Sequence, residues 1–359
     1  MLTPKRPFRI AAHVAALLFG ISAVAGLAQA QDRPSRECVQ EIRALCGSDR
    51  SQIRSCLQAR FSELSEACAA QIRERMGARL QGRQQDQTQA GEASEAPRRL
   101  YQPTIRPTTT VVYGQHQRQQ VNVFEPDGAV DELPMVVFIH GGGWAAGSHL
   151  RVQSKPAFFG SNDYYFASAG YRILPDFPVE QQARDLGDAL RALRAQAPSI
   201  GFDPDRIVLM GHSAGAHLAA LLATDPSYAG EAFASIQGVI LLDGAGYDVS
   251  ANMQVAGPRG WQIYNTAFSS DPERQSALSP ITHVGGEDAP NWLALYVEER
   301  EIARDQAQMF TEALMASGAT AQAISIAGTD HGRMNREIGT EAGAAQSQII
   351  NEFLARLFP

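Results

Sequence analysis

From residue 108 to the C-terminus, apolar positions gather in short continuous runs separated by segments of helical period. Runs at Thr108–Tyr113, Gln120–Phe124, Met135–His140, Tyr171–Leu174, Arg206–Met210, Gly238–Leu242, Trp292–Val297 and Ala321–Ile326 have the length and composition of strands. Between them, Leu186, Ala189, Leu190 and Leu193 mark one face of a helix, and Ala307, Phe310 and Leu314 mark another. A last helix carries Ile349, Ile350, Phe353, Leu354 and Leu357 on its apolar side. Continuously apolar strands alternating with amphipathic helices predict an α/β fold: a mostly parallel sheet covered on both faces, with the first two strands as an edge hairpin.

The N-terminal third follows a different pattern. Lys5, Arg6 and Arg9 precede an apolar run from Ile10 to Leu27 and a small-residue site, Ala28-Gln29-Ala30. This order predicts a secretory signal peptide over residues 1–30, with a membrane anchor as the weaker alternative. Nothing later reads as a membrane span. Cys38, Ile42, Leu45 and Cys46 share a helical face, Ile53, Cys56, Leu57 and Phe61 continue the period, and Leu64, Cys68 and Ile72 suggest a further helical turn. Residues 31–76 therefore read as a small helical module too small for a sufficient core of its own. Residues 77–100, rich in Gln, Gly, Ala and Glu, read as a flexible linker, leaving 101–359 as the large domain.

All four cysteines, Cys38, Cys46, Cys56 and Cys68, lie in that module. An even, clustered set in an exported chain implies two disulfides, and the spacings lack the C-x₂-C knuckle of a zinc site. Nested pairing, Cys38–Cys68 with Cys46–Cys56, suits a helical hairpin, although four cysteines permit three connectivities. The formal charge of −7 becomes −10 once the three cations of the leader are removed (−7 − 3), which argues against nucleic acid or an anionic membrane as partner.

Candidate chemistry centres on Gly211-His212-Ser213-Ala214-Gly215, which follows an apolar strand and opens an alanine-leucine helix. Gly-x-Ser-x-Gly in that context is a nucleophile elbow, with glycines where a bulky Cβ would obstruct the turn. Upstream, Met135–Ile139 runs into His140-Gly141-Gly142-Gly143-Trp144, whose glycines let backbone N–H groups point at a developing oxyanion. Downstream, Asp330-His331-Gly332 stands where a general base is expected.

These three motifs, with Phe202-Asp203-Pro204-Asp205-Arg206-Ile207 and Ser279-Pro280, resemble the esterase branch of the α/β-hydrolase superfamily, covering about residues 105–359. They are similar to hormone-sensitive-lipase-like, BD-FAE-type and kynurenine-formamidase-like enzymes. The resemblance implies Ser213 as nucleophile, His331 as base, and the N–H groups of Gly142, Gly143 and Ala214 as an oxyanion hole. The triad acid is expected after the strand Trp292–Val297, where similar enzymes carry Gly-x-x-Asp but this chain has Tyr296-Val297-Glu298-Glu299. Counting back from the next helix selects Glu299, with Glu298, Glu301 and Asp305 as register alternatives and Asp243, one strand earlier, as the structural rival. Trp144 reads equally as a substrate-pocket wall or as packing beneath the glycine loop. His140 is expected to hold that loop, and His212 and His217 to pack around the elbow. Glu180, Asp185 and Asp188 fit a solvated helix face. Residues 246–290, irregular and rich in Gly, Ser and Pro, suggest a lid or pocket wall.

No motif for a metal, nucleotide or other cofactor stands out, since Gly141–Gly143 lack Gly-x-Gly-x-x-Gly spacing. The cysteine-bearing module resembles the Cys-rich repeat of Golgi apparatus protein 1, which implies a protein- or surface-binding or spacing role. The expected function is thus an exported serine esterase acting on small acyl or carbohydrate-linked esters. An arylformamidase-like amide hydrolase and a non-catalytic binding protein on the same scaffold are the rivals.

Overall fold

Alternation within the buried strands builds two cores on one sheet. In the computed structural model, which describes residues 35–47, 56, 60–72, 105–129 and 132–359, β3 (Leu133–Ile139) sends Met135, Val137 and Ile139 to one face and Val136 and Phe138 to the other. Strands β5 (Phe202–His212), β6 (Ile236–Leu242) and β7 (Asn291–Val297) divide their apolar residues in the same way. Side chains alternate with period two, so a strand apolar at every position must be covered on both sides.

Eight strands form the sheet, in the order β1-β2-β4-β3-β5-β6-β7-β8. β1 (Thr109–Val112) and β2 (Gln120–Phe124) make the expected antiparallel hairpin at one edge. From β4 (Tyr165–Ala169) to β8 (Thr320–Ile326) every neighbouring pair is parallel. One core face is covered by Val179–Ile200, Ala214–Thr224 and Glu301–Ala316, the other by Lys155–Gly160, His331–Arg336 and Ala344–Leu357. In chain order we label these helices of the large unit α2 (Lys155–Gly160), α3 (Val179–Ile200) and α4 (Ala214–Thr224). Then come α5 (Val249–Val255), α6 (Pro258–Phe268), α7 (Pro272–Ala277), α8 (Glu301–Ala316), α9 (His331–Arg336) and α10 (Ala344–Leu357); α1 is Arg36–Cys46 in the small unit.

Two expectations are corrected here. The strand read at Tyr171–Leu174 lies instead at Tyr165–Ala169, whose small residues Ala167, Ser168 and Ala169 disguised it. The chain leaves the sheet at Gly170, where any Cβ would meet the carbonyl oxygen of Arg118. Tyr171 then turns inward, and its hydroxyl donates to the carbonyl of His140 at 2.6 Å. Residues 246–290 are largely helical, not irregular. Asp248 and Asp271 accept backbone N–H bonds at the starts of α5 and α7, and prolines occupy the first turns of α6 and α7.

The chain divides into two compact units, within Met1–Arg99 and Leu100–Pro359. In the smaller, α1 is capped by Ser35, whose hydroxyl accepts from Cys38 N–H. Disulfides Cys38–Cys68 and Cys46–Cys56 tie it to residue 56 and to the helical residues 66–72. Cys38, Leu64, Cys68 and Ala69 form its buried centre, with Ile42, Leu45, Phe61 and Ile72 against it. Among the described residues of this unit few side chains are buried, so the two cross-links are a substantial restraint on them. The expected signal segment 1–30 and linker 77–100 lie outside the described residues.

Candidate active site

Ser213 sits between β5 and α4 with φ 56° and ψ −120°, a backbone conformation that L-residues avoid. The turn tolerates it because both flanking glycines are in near contact with backbone. A Cβ on Gly211 would meet the carbonyl of Gly215, and one on Gly215 the carbonyl of Ile139. The N–H of Ser213 is anchored on the carbonyl of Leu242 at 3.0 Å, tying the elbow to the end of β6. Ser213 is thereby held at the N-terminus of a helix whose every residue is buried.

His331 opens α9, and the Asp330 carboxylate caps that helix by accepting N–H bonds from Gly332 and Arg333. Its Nε2 lies 3.0 Å from Ser213 Oγ and its Nδ1 2.6 Å from Asp243 Oδ2. The acid position beside the histidine is therefore held by Asp243, and the expectation of Glu299 is corrected. Asp243 follows β6 directly, and its N–H donates to the carbonyl of Leu295 at 2.7 Å, which sets its carboxylate level with the end of β7. Glu299 lies two residues beyond the last residue of β7, past the sheet edge and exposed. Glu298 is exposed in the same turn, and Glu301 and Asp305 belong to α8.

Asp243 is buried, and all of its polar atoms on the carboxyl are partnered. Oδ1 accepts the Val297 N–H at 3.0 Å, and Oδ2 accepts from His331 and from Arg300 Nη1. Burial raises the carboxyl's pKa, but the hydrogen bonds from His331 and Val297 and the charge of Arg300 prevail and hold it below the ordinary aspartate value. Arg300 escaped sequence reasoning: in the run Glu298-Glu299-Arg300-Glu301 nothing distinguishes it from a solvated charge.

The glycine loop follows β3. Gly142 and Gly143 have φ of 134° and 58°, and the carbonyl of Gly142 accepts N–H bonds from Ala145 and Ala146. That local turn leaves the N–H groups of Gly142 and Gly143, like that of Ala214 at the start of α4, without partners among the described residues. His140 donates through Nδ1 to the Gly141 carbonyl at 2.9 Å and stacks on Tyr171. Burial drives its pKa down to about 3, so it is a neutral support for the loop.

Trp144 answers both of its expected descriptions. It is buried against His217, Tyr264 and Phe268, yet it also lines the cleft. Its Nε1–H donates to His217 Nδ1 at 3.3 Å, and His217 Nε2 donates to the Leu278 carbonyl at 2.8 Å. His212 donates through Nε2 to the carbonyl of His331 itself at 2.7 Å, fixing the backbone that carries that imidazole. Burial, then the neighbouring His331, lowers its pKa to about 3. The acidic side chains of α3 correct a further expectation. Asp185 is fully buried, pairing with Arg172 Nη2 at 2.6 Å and accepting from Gln119 at 3.2 Å, while Glu180 is joined to Arg274 of α7 at 2.6 Å.

Ser213, His331 and Asp243 open onto one cleft of about 620 Å³. Its walls include Gly142, Gly143, Ala214 and Trp144 together with Ile263 and Tyr264 from α6. Thus the segment 246–290 does form part of the cleft wall. Among the described residues, no group of side chains is arranged to hold a metal ion, and no helix is long and apolar enough to cross a membrane.

Comparison with known proteins agrees with this fold. Over 251 residues the chain is 26% identical to the probable isoprenylcysteine alpha-carbonyl methylesterase of Arabidopsis thaliana, covering 65% of this chain and 52% of that protein. A carboxylesterase of Mycobacterium tuberculosis is 36% identical over 106 residues, 29% of this chain and 33% of its own. The chain spans about half the length of the plant relatives it matches. Among solved structures, esterase 2 of Thermogutta terrifontis superimposes with a TM-score of 0.61 at 22% identity, over 71% of this chain and 97% of that one. That likeness establishes the α/β-hydrolase fold. The BD-FAE family profile matches residues 121–314, more than half of the 359-residue chain, from the edge hairpin through α8. The chain belongs to the BD-FAE family.

Proposed function

We propose that this protein is an exported serine esterase that works through an acyl-enzyme on Ser213. The observation that carries the reading is the continuous line from Ser213 Oγ to His331 Nε2, 3.0 Å, and from His331 Nδ1 to Asp243 Oδ2, 2.6 Å, at the floor of a cleft. In this mechanism His331 Nε2 takes the hydroxyl proton as Ser213 Oγ bonds to the ester carbonyl carbon. The N–H groups of Gly142, Gly143 and Ala214 receive the resulting oxyanion, each donor contributing about 3 kcal/mol in comparable sites. His331 then passes its proton to the leaving alcohol as the C–O bond breaks. Water, deprotonated by the same nitrogen, releases the acid and restores Ser213. Asp243 keeps Nδ1 protonated and stabilises the imidazolium.

The names of the relatives support carboxylic esters as the substrate class: the plant protein is called a methylesterase and the mycobacterial one a carboxylesterase. Within that class we assign small acyl or carbohydrate-linked esters, with Trp144 as a wall for one substituent. Two disulfides support an oxidising, exported location. The small disulfide-linked unit, likened to the Golgi apparatus protein 1 repeat, is assigned a binding or spacing role, separated from the catalytic domain at the linker 77–100.

The test is labelling of the folded protein with a fluorophosphonate, beside turnover of 4-nitrophenyl acetate and of a formanilide. Labelling that disappears in Ser213→Ala, with ester turnover exceeding anilide turnover, is the expected result. Faster anilide cleavage would make the protein an amide hydrolase, and unlabelled wild type would make the scaffold non-catalytic.

A further inference from the structure

The ionised side chains lining the cleft are mostly of one sign. Arg151, Arg300 and Arg336 line it, and its single carboxylate is Asp243. Asp243 has no capacity left, because Val297, His331 and Arg300 occupy its oxygens. Arg300 engages Asp243 through Nη1 alone; its Nε and Nη2 have no partner among the described residues. Arg151 and Arg336 have no ion-pair partner among the described residues, although the chain as a whole carries a formal charge of −7. The Asp330 carboxylate makes its hydrogen bonds with the N–H groups that it caps and acts on Arg336 only through its charge. Counting Arg300 and Asp243 as neutralising one another, Arg151 and Arg336 leave the lining of the cleft with an excess of two positive charges, which Asp330, outside the lining, offsets in part at Arg336.

The placement of Arg336 adds a second observation. It stands one helical turn after Gly332, and its Nη1 would collide with a Cβ on residue 332. The guanidinium therefore folds back over the first turn of α9, towards the end that carries His331. Glycine beside the base keeps that space open. Gln153 and Asn335 extend the same polar side of the cleft, whereas Trp144, Ile263 and Tyr264 form an apolar side.

Resting on the esterase reading, we propose that the substrate is an ester carrying a second, ionised acid group, bound by Arg336 and Arg151 with the free nitrogens of Arg300. A guanidinium offers a fork of N–H donors matched to a carboxylate, and a cleft lined by one charge sign concentrates oppositely charged ligands. The ionised group can sit on the acyl half or on the alcohol half, and substrate pairs separate the two.

The experiment uses the full chain and compares kcat/KM within two pairs of esters. For the acyl half, 4-nitrophenyl hemisuccinate is set against 4-nitrophenyl pentanoate. For the alcohol half, 4-acetoxybenzoate is set against 4-acetoxybenzamide. The anionic member of at least one pair should be favoured by about tenfold or more, through KM, as charge-assisted hydrogen bonds give. Added salt should shrink that preference, and Arg151→Gln/Arg336→Gln should collapse the anionic-to-neutral ratio towards unity. Equal or greater kcat/KM for the neutral member of both pairs overturns the proposal while ester turnover upholds the esterase reading. A preference that survives in the double variant also overturns it. Failure to cleave any of the four esters, with no fluorophosphonate label, overturns both.

Discussion

Arg300 Nη1 is 2.8 Å from His331 Nδ1 and donates to the same Asp243 oxygen that accepts from the imidazole. A guanidinium nitrogen can only donate, so it cannot bond to Nδ1 while that atom carries the proton it shares with Asp243. Arg300 and His331 are therefore two donors on one oxygen. The arrangement pins the carboxylate on the His331 side of the sheet edge and sets a positive charge beside the base.

From this, Arg300 is a positioning residue. Arg300→Met should lower kcat by about tenfold, because Asp243 keeps its bonds from Val297 and His331, and Arg300→Lys should restore part of the loss. Steady-state kinetics checks it. A loss as large as that of an Asp243 variant would show that Asp243 depends on Arg300 entirely.

Asp243→Asn should lower kcat by about 10⁴-fold, since an amide cannot hold Nδ1 protonated or stabilise the imidazolium. Glu299→Gln should stay within about twofold of wild type, because Glu299 is exposed beyond the end of β7. The two variants measured side by side decide the acid: a crippled Glu299→Gln with an active Asp243→Asn would reverse the assignment. Combining Ser213→Ala with His331→Ala should cost no more than either alone, as expected of groups that act in one step.

Lys155 makes a pH prediction for stability. Its ammonium is fully buried, bonded to the Asn335 carbonyl at 2.8 Å and to Gln153 at 3.1 Å, and burial lowers its pKa to about 7 from the ordinary lysine value of 10.5. Between those values the unfolded chain holds a proton that the folded chain does not. Stability from this group therefore rises with pH across that window, by at most about 1.4 kcal/mol per unit. Below pH 7 both states are protonated and the cost of the buried charge is constant. Urea unfolding at pH 6 and pH 9 should show wild type gaining on Lys155→Met at the higher pH. Parallel changes in the two proteins would contradict it.

A chain beginning at Leu100 should retain hydrolysis of small soluble esters, because Ser213, His331, Asp243 and the glycine loop all lie in the second unit. Activity and thermal unfolding of that truncated protein test the division. Loss of folding would mean that the disulfide-linked unit supports the larger one.

Much of this protein was legible in one dimension. Wherever a local rule had only one reading, the sequence determined the outcome. Gly211 and Gly215 had to flank Ser213 because backbone passes too close for any Cβ, and strands apolar at every position had to be covered on both faces. The cysteines were less constrained: nested pairing suited a helical hairpin but was one of three connectivities, and the fold selected it as Cys38–Cys68 and Cys46–Cys56. The strand Tyr165–Ala169 was hidden because burial between two neighbours replaces the β-branched residues that usually announce a strand. Which carboxylate meets His331 depended on a quantity that no spacing contains. β6 and β7 are parallel neighbours whose ends meet at one sheet edge, and only their register, Leu242 opposite Leu295, brings Asp243 to His331 and leaves Glu299 in solvent. Arg300 and Arg336 likewise acquired meaning only when the fold brought separate loops to one cleft, because a charge has a role only relative to the charges placed around it.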